Sequence, residues 1–400
     1  MSLSRRGFVS GIATALGYAG LRPDSVFAQA PPVTPQMKAA AGVPSYLTAA
    51  ARARVLEYDP MAKLSGNENP WGPIPSAMDA MNYAWKYSNR YGYPDAGVVE
   101  AIAAHHGVKP ENILLGAGSG EILDVMALAF LENGKKKVLG VEPTYSTVYQ
   151  RASSIKAESI KLALNKDYSQ NIQAFIDTAK AHAQDVGFIY LCNPNNPTGM
   201  IVSKQEVKQL LDGVPAGMPV MIDEAYHHFV QDPNYGPSAS YVIEGRPVVI
   251  ARTFSKIFGI AAMRIGYAIA PPALIAKMKP HAISSLSSIV KWGAVAGLAD
   301  TAGQKKVLDE TLRLRNKAMG EIKAMGYEIL PTETNFFMIS IRREVAPVIE
   351  EFKKRGIAVG RPFPPMTQHM RVSVGTEEEM GRFAAAFKEI LPATRQSTGG

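Results

Sequence analysis

Short apolar runs recur through the middle of the chain, separated by stretches whose apolar positions fall three and four apart. Ile113–Ala117, Lys137–Val141, Gly187–Cys192, Pro219–Ile222, Val248–Ala251 and Ile265–Ala270 are too short for helices and are bounded by turn residues. Such runs predict strands buried on both faces. Glu121–Glu132 places Ile122, Val125, Met126, Ala129 and Phe130 on one face, the spacing of an amphipathic helix. Lys204–Leu211 repeats the pattern more weakly. Strands alternating with helices predict an α/β fold, a mostly parallel sheet covered on both sides. From about residue 305 the texture changes. A long polar helix, Lys305–Met325, precedes strands near Asn335–Ile341 and Met370–Val374, with a helix over Glu344–Arg355 between them. This predicts a smaller α+β domain. Ligands of open parallel sheets bind beyond the carboxyl ends of the strands, so the residues just after each run are where chemistry is expected.

Composition narrows the field. The chain has 400 residues, 46% hydrophobic and 20% charged, enough for a large core and two or three domains. No uninterrupted apolar stretch reaches the length of a membrane span. The formal charge is +8, but Lys and Arg are scattered, so no nucleic-acid partner is expected. No metal centre is expected either. The single cysteine, Cys192, permits no intramolecular disulfide and has no evident thiolate-stabilising neighbour, so it reads as a small buried residue.

The beginning of the chain carries a different signal. Arg5-Arg6 is followed by a Gly- and Ala-rich apolar stretch, Gly11–Leu21, and then by small residues at Val26-Phe27-Ala28. These are the parts of a secretory signal, and the twin arginine points to the Tat route. Cleavage is expected after Ala28, giving a periplasmic or secreted protein with no membrane anchor. Residues 31–60, rich in Pro and Ala, read as an extended arm leading into a helix.

Five segments carry candidate chemistry. In Thr253-Phe254-Ser255-Lys256, the lysine sits just past a strand, and a lysine desolvated there is an amine nucleophile toward an aldehyde. Alone, a loop lysine is more often exposed. Ser255 and Arg264 flank it, and both are phosphate-binding types. Asp223 ends the apolar run Val220-Met221-Ile222, where a buried carboxylate needs a cation. A protonated pyridine nitrogen, a helix N-cap and a structural salt bridge are all open. Asn193-Pro194-Asn195-Asn196-Pro197-Thr198-Gly199 is a rigid turn that can present the Asn196 amide. Gly116-Ala117-Gly118-Ser119-Gly120 lets a phosphate approach a helix N-terminus, or serves packing alone. Arg371 lies at the start of a short strand, suited to clamping a carboxylate.

Together and in this order, these segments resemble the fold-type-I pyridoxal-phosphate aminotransferases over roughly residues 60–390, with the histidinol-phosphate aminotransferases as the most similar subgroup. The resemblance implies the aspartate-aminotransferase-like fold and pyridoxal 5'-phosphate held as a Schiff base on Lys256, which shuttles the Cα proton. Asp223 would pair with the pyridine nitrogen. Asn196 and Tyr226 would bond the 3′ oxygen, and Tyr145 would stack on the ring. Ser119, Gly120, Ser255 and Arg264 would hold the phosphate, with Tyr93 reaching it from the second subunit of a homodimer. Arg371 would bind the α-carboxylate of an amino acid or 2-oxo acid, with the segment Asn67-Glu68-Asn69-Pro70, Asn69 foremost, and Asn335 near the substrate. Arg361, Tyr91 and Trp71 are candidates for the side-chain pocket. The implied layout is a signal over residues 1–28, an arm and part of the small domain over 29–80, the cofactor domain over 81–300, the small domain over 301–392 and a tail over 393–400.

Two positions depart from the family pattern. Gly120 stands where relatives carry Asp. Gly360 stands where the histidinol-phosphate enzymes tend to carry arginine, with Arg361 one residue late, which argues against histidinol phosphate as substrate. The expected activity is a ping-pong transamination. A decarboxylase or C–S lyase on the same scaffold would instead release carbon dioxide or a thiol, and a non-catalytic exported binding protein would never aminate its cofactor.

Overall fold

The computed structural model describes residues 43–44, 46–282 and 285–393. The expected signal segment and residues 394–400 lie outside them. Every element below belongs to the unit Ser45–Gly400.

The strands are β1 (Ala62–Leu64), β2 (Ile113–Gly116), β3 (Lys137–Glu142), β4 (Ser159–Ala163), β5 (Val186–Cys192), β6 (Val220–Asp223), β7 (Val248–Thr253), β8 (Gly266–Ile269), β9 (Glu328–Ile329), β10 (Phe336–Ser340), β11 (Ile357–Val359) and β12 (His369–Ser373). Seven form the central sheet in the order β2-β8-β7-β6-β5-β3-β4. The pairs from β7 to β4 are parallel, and β8 runs antiparallel to both neighbours.

The continuous apolar runs have a direct cause. Side chains alternate across a strand, so a sheet covered on both faces needs apolar residues at every position. In β5, Phe188, Tyr190 and Cys192 enter one core cluster, beneath the helices Ser119–Phe130 and Thr147–Ser154. Ile189 and Leu191 enter the other, with Phe175 of helix Ile172–Ala181 and Leu210 of helix Lys204–Gly213. Each fully buried large side chain here contributes about 1.5–3 kcal/mol of transfer free energy. The segment after Ser203 buries Val207, Leu210 and Leu211 on one face, and a capping box starts its helix: Ser203 Oγ accepts from the Glu206 N–H at 3.2 Å, and the Glu206 carboxylate accepts from the Ser203 N–H at 2.8 Å.

Of the expected arm, residues 31–42 lie outside the described residues; a helix spans Ala49–Tyr58. In the C-terminal part, helix Thr301–Ala324 precedes an antiparallel sheet ordered β12-β10-β9. A second, two-stranded parallel sheet joins β1 to β11, pairing Ala62 with Ile357 and Leu64 with Val359. Leu64, Phe337, Ile339, Phe352, Phe383 and Phe387 pack in one core there. Residues 62–64 therefore belong with the C-terminal core, although most of the chain separates them from it in sequence. Among the described residues, no helix is long and apolar enough to cross a membrane, and no cluster of three or more His, Cys, Asp or Glu side chains is arranged for a metal ion.

Candidate active site

Where β5, β6 and β7 end, a cavity of about 290 Å³ opens, lined also from the C-terminal part of the chain. Its wall includes Ser119, Gly120, Tyr145, Asn196, Asp223, Tyr226, Ser255, Lys256, Arg264, Arg361 and Arg371. Eleven of the residues singled out in the sequence thus converge on one space.

Asp223 is the last residue of β6 and is 2% exposed. Its carboxylate accepts from the Tyr190 hydroxyl at 3.1 Å and the Ala225 N–H at 3.2 Å. No Lys, Arg or His forms a salt bridge with it among the described residues. Burial pushes its pKa up to about 6, while the Tyr190 and Ala225 bonds and the charge of Lys256 hold it back. Such a carboxylate suits a cationic ring nitrogen, which restores the missing countercharge.

Lys256 follows β7. Its Nζ donates to the carbonyls of Asn67 at 3.0 Å and Gly66 at 3.4 Å. Burial brings its pKa down to about 8, with Arg371 adding to the fall and Glu68 and Asp223 opposing it. Tyr226 is buried, and burial raises its pKa. Its oxygen accepts from Asn67 Nδ2 at 3.0 Å and Asn196 Nδ2 at 3.3 Å, which leaves its own proton for an acceptor in the cavity.

The opposite end is built for an anion. Helix Ser119–Phe130 begins here, so unpaired N–H groups and the positive end of its dipole face the space. Arg264 donates to the Ala117 carbonyl at 2.8 Å and the Ala261 carbonyl at 3.0 Å, bridging two loops at the wall. It takes a left-handed conformation, φ 55°, and β8 begins two residues later, not directly after it as the apolar run suggested. A Cβ at Gly118 would fall 2.2 Å from Arg264 Nη2, so only glycine admits that guanidinium. A Cβ at Gly120 meets nothing within 4 Å, so that departure from the family leaves open room. Thr253 Oγ1 donates to Ser255 Oγ at 2.8 Å, freeing the Ser255 proton.

Arg371, in the middle of β12, is 7% exposed. It donates from Nη1 to Asn196 Oδ1 at 2.6 Å and from Nη2 to the Ser65 carbonyl. Its Nε is buried with no partner among the described residues, an orphan donor of the kind a carboxylate satisfies. The residues present therefore fit pyridoxal phosphate and an amino acid: a carboxylate for the ring nitrogen, a donor for a ring oxygen, an amine for the aldehyde, an anion cradle, and a spare guanidinium donor.

Five sequence candidates lie off the wall, among them Tyr91, which is exposed, and Trp71, which packs against the C-terminal core. Asn69 holds loops together instead: its Nδ2 donates to the Ile257 carbonyl at 3.0 Å, and its Oδ1 accepts from the Trp71 N–H at 3.0 Å. Asn335 sits behind the wall, donating to the Glu68 carbonyl at 3.3 Å, with its own Oδ1 buried and unpartnered. Tyr93 donates to the Leu286 carbonyl of its own chain. In place of Asn69, its neighbours Asn67 and Glu68 reach the cavity. In the sequence only the family segment Asn67-Glu68-Asn69-Pro70 marks Asn67, because its placement depends on Ser373, which donates to its Oδ1 at 2.7 Å from the far end of the chain. Thr144, Cys192 and Phe363 also line the wall. Burial raises the Cys192 thiol pKa, which keeps it protonated and inert.

A parallel-sheet fold with a lysine and a buried aspartate facing one cavity defines a class, and residues 59–387 match aminotransferase class I and II: the chain belongs to that family. It is a pyridoxal-phosphate-dependent aminotransferase, acting between amino acids and 2-oxo acids. The histidinol-phosphate aminotransferase of Moorella thermoacetica is 34% identical over 349 residues, covering 84% of this chain and 87% of its own. Histidinol-phosphate aminotransferase 2 of Carboxydothermus hydrogenoformans is 35% identical over 340 residues, covering 82% and 91%. The histidinol-phosphate aminotransferase of Sinorhizobium meliloti, solved in complex with pyridoxal-5'-phosphate, shares the fold with a TM-score of 0.76 at 24% identity, over 90% of this chain and 98% of that one.

Proposed function

We propose that Lys256 carries the cofactor and moves the substrate proton in a ping-pong transamination. The observation behind this reading is that Lys256 and Asp223 face the same cavity, each close enough to shift the ionisation of the other. The cofactor supplies an electron sink for the carbanion that forms when a Cα proton leaves. Asp223 would hold the ring nitrogen protonated, and Tyr226 would donate to the ring oxygen beside Asn196. Ser255, Arg264 and the amides at Ser119 and Gly120 would hold the phosphate, and Tyr145 would stack on the ring. Arg371 would fix the α-carboxylate, and the freed Lys256 amine would take the Cα proton and return it to the neighbouring carbon. A pKa of about 8 gives that amine a substantial neutral fraction near neutrality.

The test is spectral conversion of the purified holoenzyme by a panel of amino acids, repeated with Lys256→Ala. Loss of turnover by at least about a thousandfold and of the borohydride-reducible chromophore is expected. Near-normal transamination by the variant overturns the role of Lys256.

We also propose that the chain works as a homodimer, with Tyr93 reaching the phosphate of the neighbouring subunit. Tyr83, Trp85 and Tyr91 are exposed beside it, an aromatic surface suited to a second copy. Histidinol phosphate is the substrate named for the relatives above, and position 360 weighs against it here. A Cβ at Gly360 would lie 2.8 Å from the Arg371 carbonyl oxygen, so an arginine there needs the backbone to shift.

Export by the twin-arginine route completes the reading, supported by Arg5-Arg6 and the apolar stretch after it. A folded, cofactor-loaded enzyme is the cargo that route accepts. Periplasmic recovery should disappear in the Arg5→Lys/Arg6→Lys variant, and a purely cytosolic wild-type protein on fractionation removes the proposal.

A further inference from the structure

Tyr190 lies in β5, fully buried and absent from the cavity wall. The register pairs it with Met221 of β6, and the two side chains enter the same core cluster. Side chains alternate along a strand, so Asp223, two residues past Met221, shares that face. The Tyr190 hydroxyl thus reaches Asp223 Oδ2, at 3.1 Å, from within the core. Asp223 Oδ1 accepts from the Ala225 N–H at 3.2 Å. Among the described residues, Tyr190 is the only side chain that hydrogen-bonds Asp223.

A buried tyrosine needs a partner for its hydroxyl, and a main-chain carbonyl suffices. Tyr149 shows that solution next to it. Its ring stands edge-on to Tyr190, with centroids 6.2 Å apart, and its hydroxyl donates to the Val141 carbonyl at 2.8 Å. Tyr190 gives its proton to a carboxylate instead. Burial raises the Tyr190 pKa far above the ordinary phenol value, so the hydroxyl remains a donor. A donor to the ionised form opposes the cost of burying that charge and fixes the direction of the carboxylate. Without it, burial leaves Asp223 more often neutral, and a neutral carboxyl cannot balance a cationic nitrogen.

Resting on the transamination reading above, we propose that Tyr190 is a positioning residue for the reaction: from behind the site, its hydroxyl keeps Asp223 ionised and aimed so that Asp223 can hold the proton on the ring nitrogen. Tyr190 touches neither substrate nor cofactor and acts through Asp223 alone. Its loss should therefore be felt in the ionisation of Asp223, in the grip on the cofactor and in the chemical step, and little in the binding of substrate.

The test compares Tyr190→Phe with Tyr149→Phe, each losing one buried hydroxyl and keeping the ring that fills the core, so both should fold. In cofactor-free protein the Asp223 carboxyl is titrated by infrared difference spectroscopy against Asp223→Asn. Its midpoint should rise by about one pH unit in Tyr190→Phe and stay in place in Tyr149→Phe. In holoenzyme, Tyr190→Phe should lower kcat about tenfold with KM little changed. It should also weaken cofactor binding, an effect that should vanish when the same substitution is made in Asp223→Asn. A midpoint unmoved in Tyr190→Phe, or an equal loss of cofactor affinity in the Asp223→Asn background, overturns the role and leaves Tyr190 a packing residue. Failure of wild-type holoenzyme to convert any amino acid overturns the transamination reading itself, and the role with it, whatever the titration shows.

Discussion

Asp223 is held in a state that the fold alone does not favour. Its folded pKa of about 6 lies above the ordinary carboxylate value, so the ionised form is the one that burial penalises. In cofactor-free protein the unfolded chain gives up this proton first. Stability therefore falls as pH rises from about 4 through about 6, and the full deficit, up to about 3 kcal/mol, is present above that. Asp223→Asn should stabilise the apoprotein at pH 8 by about 1–3 kcal/mol, change little at pH 4, and weaken cofactor binding. Urea unfolding at the two pH values, with a cofactor titration, checks all three. Equal stability of variant and wild type at pH 8 would show that the carboxylate is already compensated without the ring.

At the scale of elements, the neighbouring residue does different work. Asp223 and Glu224 are adjacent at the end of β6, and their side chains diverge. Glu224, fully buried, accepts from Arg252 Nε at 3.0 Å and Nη2 at 2.6 Å, tying β6 to β7, which leads to Lys256. Arg252 Nη1 lies 3.3 Å from His106 Nδ1, which makes that nitrogen the acceptor and leaves Nε2–H to donate to Tyr267. Arg252→Met leaves Glu224 buried and unpaired and should cost about 3–5 kcal/mol in denaturant unfolding. The double variant with Glu224→Leu should recover part of that. Full recovery of nothing would place the loss in packing instead of charge. The sheet strands were legible because burial on both faces writes unbroken apolar runs. The edge strand β4 was not, since Ser159–Ala163 is only half covered and mixes lysine with apolar residues. Nor were β1 and β11, three residues each, whose only warrant is each other. The cofactor end of the site could be read because its residues follow strands directly. Asn67 and Glu68 could be read only through the family segment Asn67-Glu68-Asn69-Pro70, because their placement depends on Ser373 and Asn335, brought near by the fold.

For the whole molecule, the dimer proposal predicts complementation. Each site would combine Lys256 of one copy with Tyr93 of the other. Mixing Lys256→Ala with Tyr93→Phe chains should then restore one site per hybrid with native cofactor affinity, above the weakened affinity of Tyr93→Phe alone. A mixture that behaves as the sum of its parents, or a monomer by sedimentation at micromolar concentration, rejects it. The pairing of β1 with β11 also fixes a sequence of events. Lys256, Asp223 and Arg264 leave the ribosome well before Ile357, yet the strand that anchors Asn67 finds its companion only once Ile357 has emerged. A nascent chain stopped before that point owns the phosphate cradle without the wall that receives the lysine amine. Productive capture of the vitamin-derived cofactor must therefore wait until synthesis is nearly finished.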